Sequence, residues 1–275
     1  MPRPQPIFLL GGGKRPRFLS SKADREIVSA LIGSDAAGVE HGAEHPRFRR
    51  LAEALAGLLY LGSDDGKAAR LLEESVTTRW EGRGTWDHGF LGRHFLSVEF
   101  QLGLTYQRLG VEVVFKESLE LAARTLELAL SLALEGSGDL ARAVEVAREV
   151  EPQFLNRDVV RLVLADQYAQ LGDFEAIVRL TDGIANKYNY GAMLCAYRGM
   201  AFRNLGLHGT ALEAFREALR SEQRLPAIRF AALSERSRTY QDAGSAMLAA
   251  KDLRRILAER PSAPGIQERL DVLGG

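Results

Sequence analysis

Cysteine is almost missing: the 275 residues carry one, Cys195. A lone thiol cannot close an internal disulfide, and such sparing use suits a reducing compartment, so the expected location is cytoplasmic. A surplus of either charge is missing as well. Lys plus Arg and Asp plus Glu number 36 each, for a formal net charge of +0. Nucleic-acid binders carry a basic excess to meet phosphate, so no nucleic-acid partner is expected. Long apolar runs are also lacking. The stretch Ile7–Leu10 is too short for a signal-peptide core and far too short to cross a bilayer, so no membrane partner is expected either. What is present is ordinary for a folded protein, 46% hydrophobic and 26% charged residues, which argues against disorder. The excess of Arg over Lys, with abundant Ala, Leu and Gly, points to a GC-rich bacterial source.

Helical periodicity then organises the chain. Met1–Ser21 is rich in Pro, Gly and Arg and has no period, so it reads as an extended arm. Lys22–Ile32 predicts one short helix, and Gly33–Pro46 a loop. From Arg47 onward Leu51, Leu55 and Leu58 share one helix face, Gly62–Gly66 turn the chain, and Ala68, Ala69, Leu72 and Val76 line a second helix. Arg79–His94 breaks the pattern. The pairs Leu102-Gly103 and Leu109-Gly110, with Tyr106 between them, predict another first helix. Val111–Leu134, free of Gly and Pro, predicts one long helix or two with a bend near Arg124.

The clearest unit is Tyr197–Pro226. Gly199 and Phe202 lie on one helix, Leu205-Gly206 close it, and Ala211, Phe215 and Ala218 lie on the next. Small residues let two helices approach while large ones fill the space around the contact. Turn glycines recur at Gly138, Gly172, Gly206 and Gly244, separated by 34, 34 and 38 positions. This resembles the tetratricopeptide repeat, whose unit is about 34 residues, over Arg47 to Pro261.

The resemblance implies an all-α chain: a right-handed superhelical solenoid of helix-turn-helix hairpins. Its parts would be an arm and short helix over 1–46, a repeat domain over 47–261 with an irregular loop at 79–94, and a tail over 262–275. It further implies a non-enzymatic adaptor or scaffold that holds a peptide or helix of a partner protein in a concave groove. The repeat register assigns Phe100, Leu104, Arg108, Asp166, Tyr197, Met200, Arg203 and Arg238 to that groove. The places where chaperone-binding clamps hold a terminal carboxylate carry Leu162, Asp166, Tyr197 and Glu235 here, so that clamp is absent. The mixed polarity suits an amphipathic helix or an extended peptide.

Other motifs are weighed against plainer readings. His41, Glu44 and His45 match the H-x-x-E-H pattern of zinc hydrolases, which needs both His on one rigid helix; Gly42 and Pro46 oppose that. The alternative is a regulatory or sensor module that binds a second ligand through the segment before Arg47 or through the Trp80–Trp86 loop, where Trp80, Arg83, Trp86 and His88 interleave aromatics with cations, a pattern a buried plug would equally show. Gly11-Gly12-Gly13-Lys14 lacks the leading Gly and the following Ser or Thr of a phosphate loop. Cys195 falls on a core-facing helix position, where an inert thiol is expected. No catalytic residue, metal or cofactor is expected.

Overall fold

The computed structural model describes residues 5–11, 22–46, 48–77, 91, 97–119, 122–221 and 223–274. Two compact units emerge: Met1–Thr105 with Val114–Phe154, and Tyr106–Val113 with Leu155–Gly275.

Both units are built on the same small-residue register. Positions 131, 165, 199 and 237 hold Ser131, Ala165, Gly199 and Ser237, and the residues twelve places on are Ala143, Ile177, Ala211 and Ala249. In two hairpins a serine hydroxyl reports how near the backbones come. Ser131 Oγ donates to the Ala143 carbonyl at 2.8 Å, and Ser237 Oγ to the Ala249 carbonyl at 3.1 Å. At Gly199 even a methyl group is excluded, since a Cβ there would lie 2.6 Å from the Phe215 ring.

Each hairpin turns on a left-handed glycine. Gly138, Gly172, Gly206 and Gly244 have φ between 74° and 97°. Past each one the next residue's N–H donates back to a carbonyl of the helix just ended. The four donors are Asp139, Asp173, Leu207 and Ser245, at 2.7 to 2.9 Å. The left-handed residue is what lets this closing bond form, and it satisfies a carbonyl the helix end would otherwise leave open. Asp139 and Asp173 then cap the following helices, accepting from the Arg142 and Ala176 N–H groups at 3.3 and 2.9 Å.

The first unit contains β1 (Gln5–Gly11), α1 (Lys22–Ile32), α2 (Ala36–His41), a 3-10 turn (Gly42–Glu44), α3 (Arg49–Tyr60) and α4 (Asp65–Thr77). It continues with β2 (Ser97–Tyr106, its last residue in the second unit), β3 (Val113–Leu119), α5 (Ala123–Ser137) and α6 (Leu140–Val150). Helices α3 and α4 form one hairpin and α5 and α6 another, and α4 packs directly on α5. Their turn glycines, Gly62 and Gly138, stand 76 positions apart. That is about one repeat of 34 plus roughly forty residues. The segment carrying β2 and β3 is thus an insertion between two adjacent hairpins.

Here the expected architecture gains an element. The helical hairpins stand, and beside them lies a three-stranded sheet of order β1-β2-β3, with β1 antiparallel to β2. The helices expected across Leu102–Gly110 and at the start of Val111–Leu134 are strands instead. The reason is the period. Phe100, Leu102, Leu104 and Tyr106 are buried while Gln101, Gly103 and Thr105 between them are half-exposed, a strand's alternation. In β3, Val113 and Phe115 are buried and Val114 and Lys116 exposed. The stretch 33–46, expected as loop, holds α2 and the 3-10 turn; Asp35 caps α2 by accepting from Gly38 N–H at 3.1 Å.

The second unit stacks three hairpins: α7 (Arg157–Leu171) with α8 (Phe174–Leu180), α9 (Asn189–Asn204) with α10 (His208–Ala218), and α11 (Pro226–Asp242) with α12 (Ala246–Glu259). The first helices touch in order, α7 on α9 and α9 on α11. A last helix, α13 (Ile266–Val272), lies within the expected tail. Its Ile266 and Leu270 complete an apolar cluster with Phe230, Leu233, Leu253 and Ile256. Among the described residues no helix is long and apolar enough to cross a membrane.

Candidate protein-binding groove

Three of the residues assigned to the groove come together in the second unit. Asp166 on α7 accepts a hydrogen bond from the Tyr197 hydroxyl on α9 at 2.6 Å. Its other oxygen accepts from Gln170 Nε2 at 3.1 Å. Arg108, in the turn after β2, places Nε 3.1 Å from Asp166 Oδ1, at ion-pair distance though off the hydrogen-bond angle. Tyr197 is fully buried. Burial, then the Asp166 charge and the hydrogen bond to it, hold the phenol well above its ordinary pKa of 10.0.

A second cluster sits on α11 and joins two more assigned residues through one that was not. Glu235 is wholly buried. Arg203 Nε lies 3.3 Å from one of its oxygens, again without hydrogen-bond alignment, and Arg238 hydrogen-bonds to the other. Arg203 also donates to Asp242 at 3.1 Å. Two arginines on a carboxylate with no water access are what its burial requires. Arg269 of α13 adds hydrogen bonds to the Ser234 hydroxyl at 2.8 Å and carbonyl at 3.2 Å. Its pKa is lowered, chiefly by burial and next by nearby Arg238.

A piece of polypeptide already lies against the first helices of this stack. The connection from β2 to β3 belongs to the second unit and seats along all three first helices. Arg108 meets Asp166 on α7. Tyr106 sets its ring edge-on to Tyr197 of α9, centroids 6.4 Å apart. Gly110, with φ +76°, lies so close to α11 that a Cβ would be 2.9 Å from Arg238 Nη2 and 3.0 Å from Ser234 Oγ. Leu109 is fully buried, and Val111 packs on the cluster of Phe230, Leu233 and Ile266. Beside this turn opens a cleft of about 460 Å³, floored by Phe230, Ile256 and Ile266 and edged by Gln107, Glu112 and Arg260.

The remaining assignments fall elsewhere. Met200 is buried on α9. Phe100 and Leu104 are buried on β2 in the first unit, not on a repeat's first helix. Trp80, Arg83, Trp86 and His88 lie outside the described residues. His41 ends α2, Glu44 lies in the 3-10 turn and His45 is extended, so the two histidines do not share one helix face. His41 Nδ1 is 3.1 Å from Glu44 Oε1, and among the described residues no three His, Cys, Asp or Glu side chains gather as a metal site. Cys195 is buried with Arg198 Nη2 3.3 Å from its sulfur, and burial raises its thiol pKa.

Sequence reading missed Arg269, Tyr106 and Gly110 as parts of this region, and it named Glu235 only at a clamp place, not as a buried carboxylate. Arg269 was reachable through the amphipathic spacing of Ile266 and Leu270. Tyr106 and Gly110 were hidden by the helix assigned to them.

Paired helices on a glycine period of 34, joined first helix to first helix, define a helical-repeat protein similar to tetratricopeptide proteins. No protein-family model and no curated protein matches the chain. Among solved structures it is similar to TTC0263, a thermophilic TPR protein of Thermus thermophilus. The TM-score is 0.48 at 15% identity, covering 82% of this chain and 98% of that one. A second is the APC/C heterotetramer Cut9–Hcn1, with TM-score 0.43 at 14% identity, covering 93% of this chain and 49% of that one.

Proposed function

We propose that this chain is a non-enzymatic adaptor whose second unit holds a segment of a partner protein along the inner face of α7, α9 and α11. One observation carries the reading: three successive first helices converge on a polypeptide turn and meet it with a carboxylate, an aromatic ring and a close backbone approach. That is the chemistry of peptide recognition, in which ion pairs orient and packed side chains anchor. Cytoplasmic residence belongs to the same proposal and rests on the single, buried Cys195.

Site-specific photo-crosslinking tests it. A probe replacing exposed Asn204 at the end of α9 should capture polypeptides from a cell extract that a probe at exposed Lys251 on α12 does not. Equal capture at both positions would remove the adaptor reading.

A further inference from the structure

We propose that the turn Tyr106–Val113 is an internal stand-in for the partner, and that the partner presents an arginine-bearing turn of the same kind, aromatic-x-Arg-Leu-Gly. This deepens the adaptor reading and rests on it.

The argument is complementarity. Asp166 keeps 15% of its side chain exposed, and the cation beside it is Arg108, itself 24% exposed. The hydrogen bonds from Tyr197 and Gln170 neutralise no charge, so any occupant of this place must bring a cation. Arginine suits it better than lysine, because a planar guanidinium can meet Asp166 while its face stays against neighbouring side chains. Tyr197 meets an aromatic ring in a T-shaped contact, which Tyr106 supplies at an interplanar angle of 79°. Beside Ser234 and Arg238 the chain passes closely and in a left-handed conformation, which favours glycine at the place of Gly110. Between these contacts a leucine is wholly enclosed, as Leu109 is. Four successive demands thus specify a short turn rather than a helix.

The inner face as it stands is filled. A partner must therefore displace the internal turn, and an occupant resembling that turn is the one these contacts accept.

The test uses a disulfide-cyclised peptide carrying the sequence of residues 105–114 and the full chain in three forms. These are the wild type, Arg108→Glu, which sets like charges against Asp166, and a chain with Tyr106–Glu112 replaced by a Gly-Ser turn. Fluorescence anisotropy should show the peptide binding both variants at least tenfold more tightly than the wild type. A peptide with glutamate in place of its arginine should bind none of them. Asp166→Asn in the Gly-Ser chain should weaken binding about tenfold. Equal affinity for all three chains would overturn the proposal, as would indifference to the peptide's arginine. So would dimers in which two copies exchange turns, or loss of cooperative melting in both variants, which would make the turn an indispensable part of the core. The adaptor reading fails separately, if the Asn204 probe captures nothing selective from either the wild type or the Gly-Ser chain.

Discussion

Replacing Gly199 by alanine sets two known effects against each other at one carbon atom. In an exposed helix the change gains about 1 kcal/mol, because alanine loses less backbone freedom than glycine. Here the new methyl would lie 2.6, 2.7 and 2.9 Å from Cε1, Cζ and Cδ1 of Phe215. Phe215 is completely buried and cannot swing into solvent. Overpacking of this kind costs about 1–3 kcal/mol, so Gly199→Ala should lose about 1 kcal/mol net. Shortening the ring should reverse the sign. In a Phe215→Leu background the space is vacated, and Gly199→Ala should stabilise by up to about 1 kcal/mol, a coupling near 2 kcal/mol. Because a chain of two units need not unfold in one step, the measurement should be local. Amide hydrogen exchange of the peptide spanning α9 and α10 reads the opening free energy of that hairpin directly. Gly206→Ala is the control: φ is +76° and nothing lies within 4 Å of the added methyl, so only backbone strain of about 1 kcal/mol applies, with no dependence on Phe215. Stabilisation by Gly199→Ala in the wild-type background would refute the close approach of the two helices.

Tyr197→Phe removes the 2.6 Å bond to Asp166 and should cost about 1.5–3 kcal/mol, read from urea denaturation followed by a probe within the second unit. Since the folded phenol is held well above 10.0, its contribution is complete below that pH and drains away as pH rises beyond it. The wild type should therefore lose more stability between pH 8 and pH 10.5 than Tyr197→Phe does. Arg236 grips the nearly buried Asp252 with two hydrogen bonds of 2.7 and 2.6 Å. Arg236→Ala should cost about 3–5 kcal/mol in the same assay, whereas Arg236→Met combined with Asp252→Leu should come out close to neutral. Cys195, enclosed and with its thiol pKa pushed up, should react with a disulfide reagent at pH 8 only as fast as its helix opens, and at once in denaturant.

Turn and contact residues were legible in the sequence because each obeys a local rule. Gly138, Gly172, Gly206 and Gly244 all take the left-handed conformation that ends a helix, and Gly199 marks a close approach of two helices. The strands were misread although their signal was present. Phe100, Leu102, Leu104 and Tyr106 alternate, but Leu102-Gly103 and Leu109-Gly110 also fit the spacing of a repeat's first helix, and the repeat expectation overrode the period of two. Once those residues were placed on a helix, Phe100 and Leu104 followed them into the groove. The Arg108–Asp166 pair was named from both ends without being joined, since a salt bridge between residues so far apart in sequence leaves no local trace. Glu235 was named at a clamp place, but nothing in LSERSR shows that it is sealed inside; only packing tells that.

The insertion between α4 and α5 bears on how the chain acquires its structure. In the second unit each hairpin meets the next across a short link, so ordering can spread from neighbour to neighbour as synthesis proceeds. In the first unit α4 cannot meet α5 until the whole stretch between Thr77 and Ala123 has been closed into a loop. Against the second unit's links of eight and seven residues that is between two and three doublings, or about 1.5 kcal/mol of extra closure entropy. If that entropy falls on the rate-limiting step, assembly of this junction is slowed by about tenfold, and the later-synthesised half of the protein reaches its native form first.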